Sequence, residues 1–71
     1  LIKLVKVNEG NWYVWNTKNN KCADIIKIYE HNALVKSKSR YRVDFNGSTV
    51  SSMIDNFQTA KSKATNLVKG A

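Results

Sequence analysis

The chain has no proline, and only three glycines, one cysteine and one histidine among its 71 residues. Each scarcity excludes something. Linkers and disordered tails are rich in proline or glycine and poor in apolar side chains. Here 42% of the residues are hydrophobic, enough for a core. A lone cysteine, Cys22, rules out an intramolecular disulfide, the usual staple of small secreted domains. It points to a reducing, intracellular setting: the cytoplasm or, for a viral protein, the host cytoplasm or the virion. Cys22 and the single histidine, His31, offer no metal-ligand spacing, so neither a structural metal nor another cofactor is expected. Gly10, Gly47 and Gly70 lie too far apart to form a phosphate-cradling loop. No apolar run approaches the length of a membrane span, and no charged-then-apolar leader is visible. The first residue, Leu1, is not a methionine, which leaves open a processed product or a piece of a longer protein.

Acidic residues are scarce as well: 5 Asp and Glu stand against 12 Lys and Arg, a formal charge of +7. The expected organisation is one small domain over residues 1–71. A chain of this length buries roughly 60% of the surface its unfolded form exposes, so the core is thin and a deep, roofed cavity has no room.

Along the chain, residues 1–7 are rich in β-branched and apolar side chains, and residues 8–11 form a polar turn. Trp12, Tyr13, Val14 and Trp15 make a second strand, and the polar cluster 16–21 closes the hairpin. Residues 23–35 are ambiguous. Ile25, Ile26, Ile28 and Tyr29 predict a strand over about 23–30, with a loop near 30–34. A short helix capped by Asp24 is the rival, since Ile26, Tyr29 and Ala33 fall at helical spacing. Over 40–45 the alternation is clean: Tyr41, Val43 and Phe45 face one way, and Arg40, Arg42 and Asp44 the other. Asn46-Gly47 is a hairpin signal, followed by a short return strand over about 48–51.

Met53, Ile54, Phe57, Ala60, Ala64, Leu67 and Val68 share roughly 140° of arc at about 100° per residue, the stripe of a helix lying on a core. Its start is open between a capping box from Ser52 to Asp55 and a later cap at Thr59, and Gly70 is the expected C-cap. The fold class expected is α+β: an antiparallel sheet of three to four strands packed on one C-terminal amphipathic helix, with the other sheet face uncovered.

Lys36, Lys38, Arg40 and Arg42 occupy alternate positions. In an extended chain all four project from one face over roughly 20 Å, which suits the phosphates of a nucleic acid. Lysines that keep a solvated strand from pairing with other chains account for the same residues. Trp12 and Val14 alternate with Tyr13 and Trp15, so one pair enters the core and the other can lie beside the cations, where exposed rings stack on unpaired bases. Lys3 and Lys6 flank this surface. Lys61, Lys63 and Lys69 on the helix are accounted for by snorkelling and by the helix dipole. Cys22, His31 and Asp24 carry nucleophile and base atoms without a catalytic signature or pocket, so no enzymatic activity is expected.

Tyr41-Arg42-Val43-Asp44-Phe45 and Phe57-Gln58-Thr59-Ala60-Lys61-Ser62-Lys63-Ala64 resemble stretches of the sheet-plus-helix DNA-binding domains of plant AP2-type factors and of the arm-binding domains of phage and transposon integrases. The second is similar to their Phe-x-Thr-Ala-x-x-x-Ala approach to the helix. That resemblance implies a Phe closing the core, a Thr capping the helix, and an outer sheet face that contacts DNA. It covers about the last 30 residues; the earlier strands depart from the pattern, and no Gly-x-Phe precedes the helix. The chain also looks like small basic phage proteins of unassigned role. The sequence thus predicts a small basic binding module that takes nucleic acid, with DNA the expected kind, through the uncovered sheet face. Alternatives are a phage-type inhibitor or modulator docking on an acidic host protein, and a structural protein packaged with a genome.

Overall fold

The computed structural model describes the backbone of residues 1–32 and 35–69, and the side chains of these residues apart from 29–39. Five strands, β1 (Ile2–Asn8), β2 (Asn11–Asn16), β3 (Lys21–Asn32), β4 (Val35–Phe45) and β5 (Ser48–Ile54), precede one helix, α1 (Phe57–Lys69). The strands pair antiparallel in chain order, β1-β2-β3-β4-β5. The α+β class and the C-terminal helix are as expected, but the sheet has five strands, not three to four. The ambiguous stretch resolves as strand because both of its edges find partners: Ile25 lies opposite Trp12 on one side and Val43 on the other. A helix capped by Asp24 is therefore not formed. The strand is longer than the expected 23–30 and reaches Asn32, so residues 30–32 of the expected loop near 30–34 are strand; residues 33 and 34 lie outside the described residues.

Asn46 and Gly47 both take positive φ (54° and 78°), the pair of left-handed residues that a tight two-residue hairpin turn needs. The return strand runs to Ile54, past the expected 51, because a bulge intervenes. Tyr41 lies opposite Ile54 and Val43 opposite Ser51, so Ser52 and Met53 together oppose Arg42 alone. Met53 takes φ 58° and stays exposed, while Ile54 is turned into the core at 6% exposure.

This bulge corrects the helix start. Met53 and Ile54 belong to β5, and Asn56 is the N-cap: its Oδ1 accepts from the Thr59 backbone N–H at 2.8 Å. Neither the Ser52–Asp55 capping box nor a Thr59 cap forms. Asp55 binds Arg40 instead, and Thr59 is the capped residue, not the cap, contrary to what the family resemblance implies. Gly70, the expected C-cap, lies outside the described residues. Replacing Asn56 with Ala is expected to lower stability by about 1 kcal/mol in urea unfolding, with Asn56→Asp close to neutral. An unchanged midpoint in Asn56→Ala would remove Asn56 from the cap.

Helix α1 crosses β2, β3 and β4. It buries Ala60, Ala64 and Val68, a three-point contact at i, i+4 and i+8. Two alanines on this seam let the helix settle onto Val14, Ala23, Ile25 and Val43, all essentially without solvent exposure. Trp12, Tyr41 and Phe57 close one end of the layer, with ring centroids 4.9 Å (Trp12–Phe57), 5.6 Å (Tyr41–Phe57) and 6.2 Å (Trp12–Tyr41) apart. The other end is closed by polar groups. The buried Asn16 and its neighbour Asn19 each donate a side-chain N–H to the Val68 carbonyl, at 3.1 and 2.9 Å, satisfying an acceptor that the last helical turn leaves open.

Strands β3 and β4, of 12 and 11 residues, outrun their neighbours. Pairing with β2 reaches Ile26, with one further bond from the Lys27 N–H to the Gly10 carbonyl, and pairing with β5 begins at Tyr41. Residues 28–32 and 35–40 thus form a two-stranded ribbon beyond the helix-covered body. At about 3.3 Å per residue, β3 alone accounts for most of the 46 Å long axis.

Candidate nucleic-acid interface

Residues paired across a sheet share a face, so the register sorts every strand residue. The helix side holds Trp12, Val14, Asn16, Ala23, Ile25, Tyr41 and Val43. The open side holds Lys3 opposite Trp15 and Trp15 opposite Cys22. It also holds Val5, Tyr13, Asp24 and Asp44 in one row across four strands, with Ile26 opposite Arg42 and Ile28 opposite Arg40. The alternation therefore resolves with Trp12 and Val14 in the core, and with Tyr13 and Trp15 side by side on the open face.

The cations are less uniform than the sequence pattern. Lys3 is exposed on the open face, whereas Lys6 pairs with Trp12 on the helix side and forms a salt bridge with Glu9 at 3.2 Å. The two flanking lysines are thus on opposite faces. Arg42 lies on the open face as expected, but its Nε and Nη2 hold both oxygens of Asp44 at 3.1 Å, and Thr49 Oγ1 adds a third bond to that carboxylate at 2.9 Å. Arg40, also in the open-face register, donates to Asp55 at 2.6 Å and so ties β4 to the approach of the helix. Arg42 keeps further N–H groups, since a guanidinium has five. Lys36 and Lys38 belong to the ribbon part of β4, Lys38 in register with Glu30; their side chains lie outside the described residues. The row of four thus divides into two arginines held by carboxylates and two lysines on the overhanging ribbon.

Tyr13, Trp15, Asn20, Cys22 and Asp24 line a shallow concavity of about 320 Å³ on the open face. Its base is pinned. The Trp15 indole Nε1–H donates to Asn20 Oδ1 at 3.1 Å, and Asn20 sits at φ 60° in the β2–β3 turn, a conformation asparagine tolerates better than most residues. Asn20 does not stand out as a site residue in the sequence, being one of several turn asparagines, and Asp24 reads there as a helix cap or as a companion of Cys22 and His31. Cys22 is exposed beside Trp15.

Among the described residues no group of three or more His, Cys, Asp or Glu is placed to hold a metal ion, and no helix is long and apolar enough to cross a membrane. No family model matches the chain, and neither a curated protein nor a solved structure matches it.

Proposed function

We propose that this protein binds nucleic acid through the sheet face that the helix leaves open. The observation that carries this is the pair Tyr13 and Trp15, adjacent on that face, with Lys3 directly opposite Trp15. Aromatic side chains beside a cation suit a polyanion whose bases can stack, and each base–aromatic stack contributes about 1–3 kcal/mol. Lys3, Lys36 and Lys38 supply charge for phosphates, and Arg42 adds N–H donors while it holds its carboxylate; Arg40 adds positive charge. An aromatic platform of this kind favours single-stranded segments, because a closed duplex keeps its base faces stacked on one another.

Fluorescence anisotropy with a labelled DNA single strand and the matching duplex, at two salt concentrations, tests this directly. With three lysine–phosphate contacts, affinity for the single strand should fall about twentyfold between 50 and 200 mM salt, from a log–log slope of about −0.7 per contact. No binding to either DNA at the lower salt would overturn the proposal.

A protein partner is the second reading, favoured by the half-exposed apolar side chains of Val50 and Met53 on β5. A pull-down after nuclease treatment separates the two, since a nucleic-acid bridge does not survive it.

A further inference from the structure

Asp24 is out of place by local rules. Aspartate is disfavoured inside strands, and like charges directly opposite one another destabilise a sheet. Asp24 sits mid-strand in β3 with Asp44 directly opposite on β4. Asp44 is compensated by Arg42 and Thr49. The carboxylates of Glu9 and Asp55 are likewise held, by Lys6 and Arg40. Among the described residues Asp24 alone is a carboxylate with no cation or hydrogen-bond partner, in a chain of net charge +7. It stands in the concavity formed with Tyr13 and Trp15, directly opposite Tyr13 in the register. Asp24 is exposed, so its carboxylate is open to a ligand from solution, and beside two aromatic rings it can read the edge of a planar group that stacks on them.

From this we infer that the concavity holds one unpaired guanine base of a single-stranded nucleic acid, a deepening that rests on the function proposed above. The Watson–Crick edge of guanine presents two adjacent donors, N1–H and N2–H, which match the two oxygens of one carboxylate. Cytosine and adenine each present an amino donor beside a ring-nitrogen acceptor, and thymine presents a single donor flanked by carbonyls, so each sets an acceptor against the carboxylate. A small organic cation would satisfy the same rings and carboxylate. The +7 charge of the chain repels it and attracts a polyanion, so guanine is the ligand the observations favour.

The test uses the full chain and three labelled nine-mers: thymine throughout, the same strand with one central guanine, and that strand with inosine, which lacks the N2 amino group, in place of guanine. Guanine is expected to raise affinity about tenfold over the all-thymine strand, and inosine to give an intermediate value. Asp24→Asn should bring the guanine preference close to one, because the amide opposes one of the two guanine donors with a donor of its own. The preference is a ratio measured on one protein, so it does not depend on the variant's stability. Equal affinity of the wild type for all three strands would overturn the guanine site and leave nucleic-acid binding standing. Failure to bind any of them at low salt would overturn the nucleic-acid reading itself. If Asp24→Asn tightens all three strands equally and keeps the guanine preference, Asp24 is only a repulsive charge and the inference fails. Tetramethylammonium that quenches Trp15 at concentrations too low to act as salt would point to the cation instead.

Discussion

Replacing Trp12 with Ala is expected to remove about 3 kcal/mol of folding stability. The indole reaches both Phe57 and Tyr41, at 4.9 and 6.2 Å between centroids, and so links the first residue of the helix to the middle of the sheet. A chain of this size has about 4–10 kcal/mol in total, so the loss is a large fraction of what holds it folded. Truncation leaves a gap at one end of a layer whose largest fully buried side chains, among the described residues, are Ile25, Val14, Val43 and Val68. The backbone there is a paired strand and cannot collapse to fill the gap. Thermal unfolding followed by far-ultraviolet circular dichroism should show a midpoint about 15 °C lower. Phe57→Leu, which keeps most of the volume and loses the edge-to-face geometry, should cost less than half as much. A Trp12→Ala midpoint within a few degrees of wild type would mean that the three rings are not part of the stabilising core.

Much of this arrangement is legible in the residues, and the parts that are not have identifiable causes. Period-two alternation separates Trp12 and Val14 from Tyr13 and Trp15, and Tyr41 and Val43 from Arg42 and Asp44, because a half-buried sheet face tolerates no slip of one residue. The Asn46-Gly47 turn is legible because few other residue pairs accept two successive positive φ values. The boundary between β5 and α1 is not. Met53 and Ile54 fit the helical stripe, and only the bulge at Ser52 and Met53, a tertiary device, assigns them to the strand. Asn56 is a good cap by type, but Ser52 and Thr59 are equally good by type, and the choice among them depends on where the strand stops. In the basic row, alternation places the arginines on one face. It does not say that Asp44 lies two residues along the same face from Arg42, within reach, or that Asp55 is brought back to Arg40 by the return strand. Charge pattern along a chain gives position; the net field of a face depends on which carboxylates the fold delivers to it.

Trp15→Ala should behave in the opposite way to Trp12→Ala, and the contrast tests the whole assignment of faces. Trp15 lies on the open side, where no helix packs, so its removal is expected to cost little stability while reducing affinity for a DNA single strand about thirtyfold, the equivalent of one base stack near 2 kcal/mol. The size of that effect follows from preorganisation. The bond from Nε1 to Asn20 holds the indole in one orientation before any ligand arrives, so little rotamer freedom remains to be lost on binding. Asn20→Ala should therefore weaken binding by a smaller factor, about threefold, without touching the stacking surface itself. Trp15→Phe should retain most of the affinity, since a flat ring remains. In the wild type, saturating single strand should quench the Trp15 share of the emission, which Trp12→Phe isolates, and leave the Trp12 share unaltered. Equal affinities for wild type and Trp15→Ala would take the open face out of the interface. The charge on Lys3, Lys36 and Lys38 alone cannot produce the expected difference, because Trp15→Ala leaves all three in place; a thirtyfold loss with the salt slope unchanged can come only from contact with the ring.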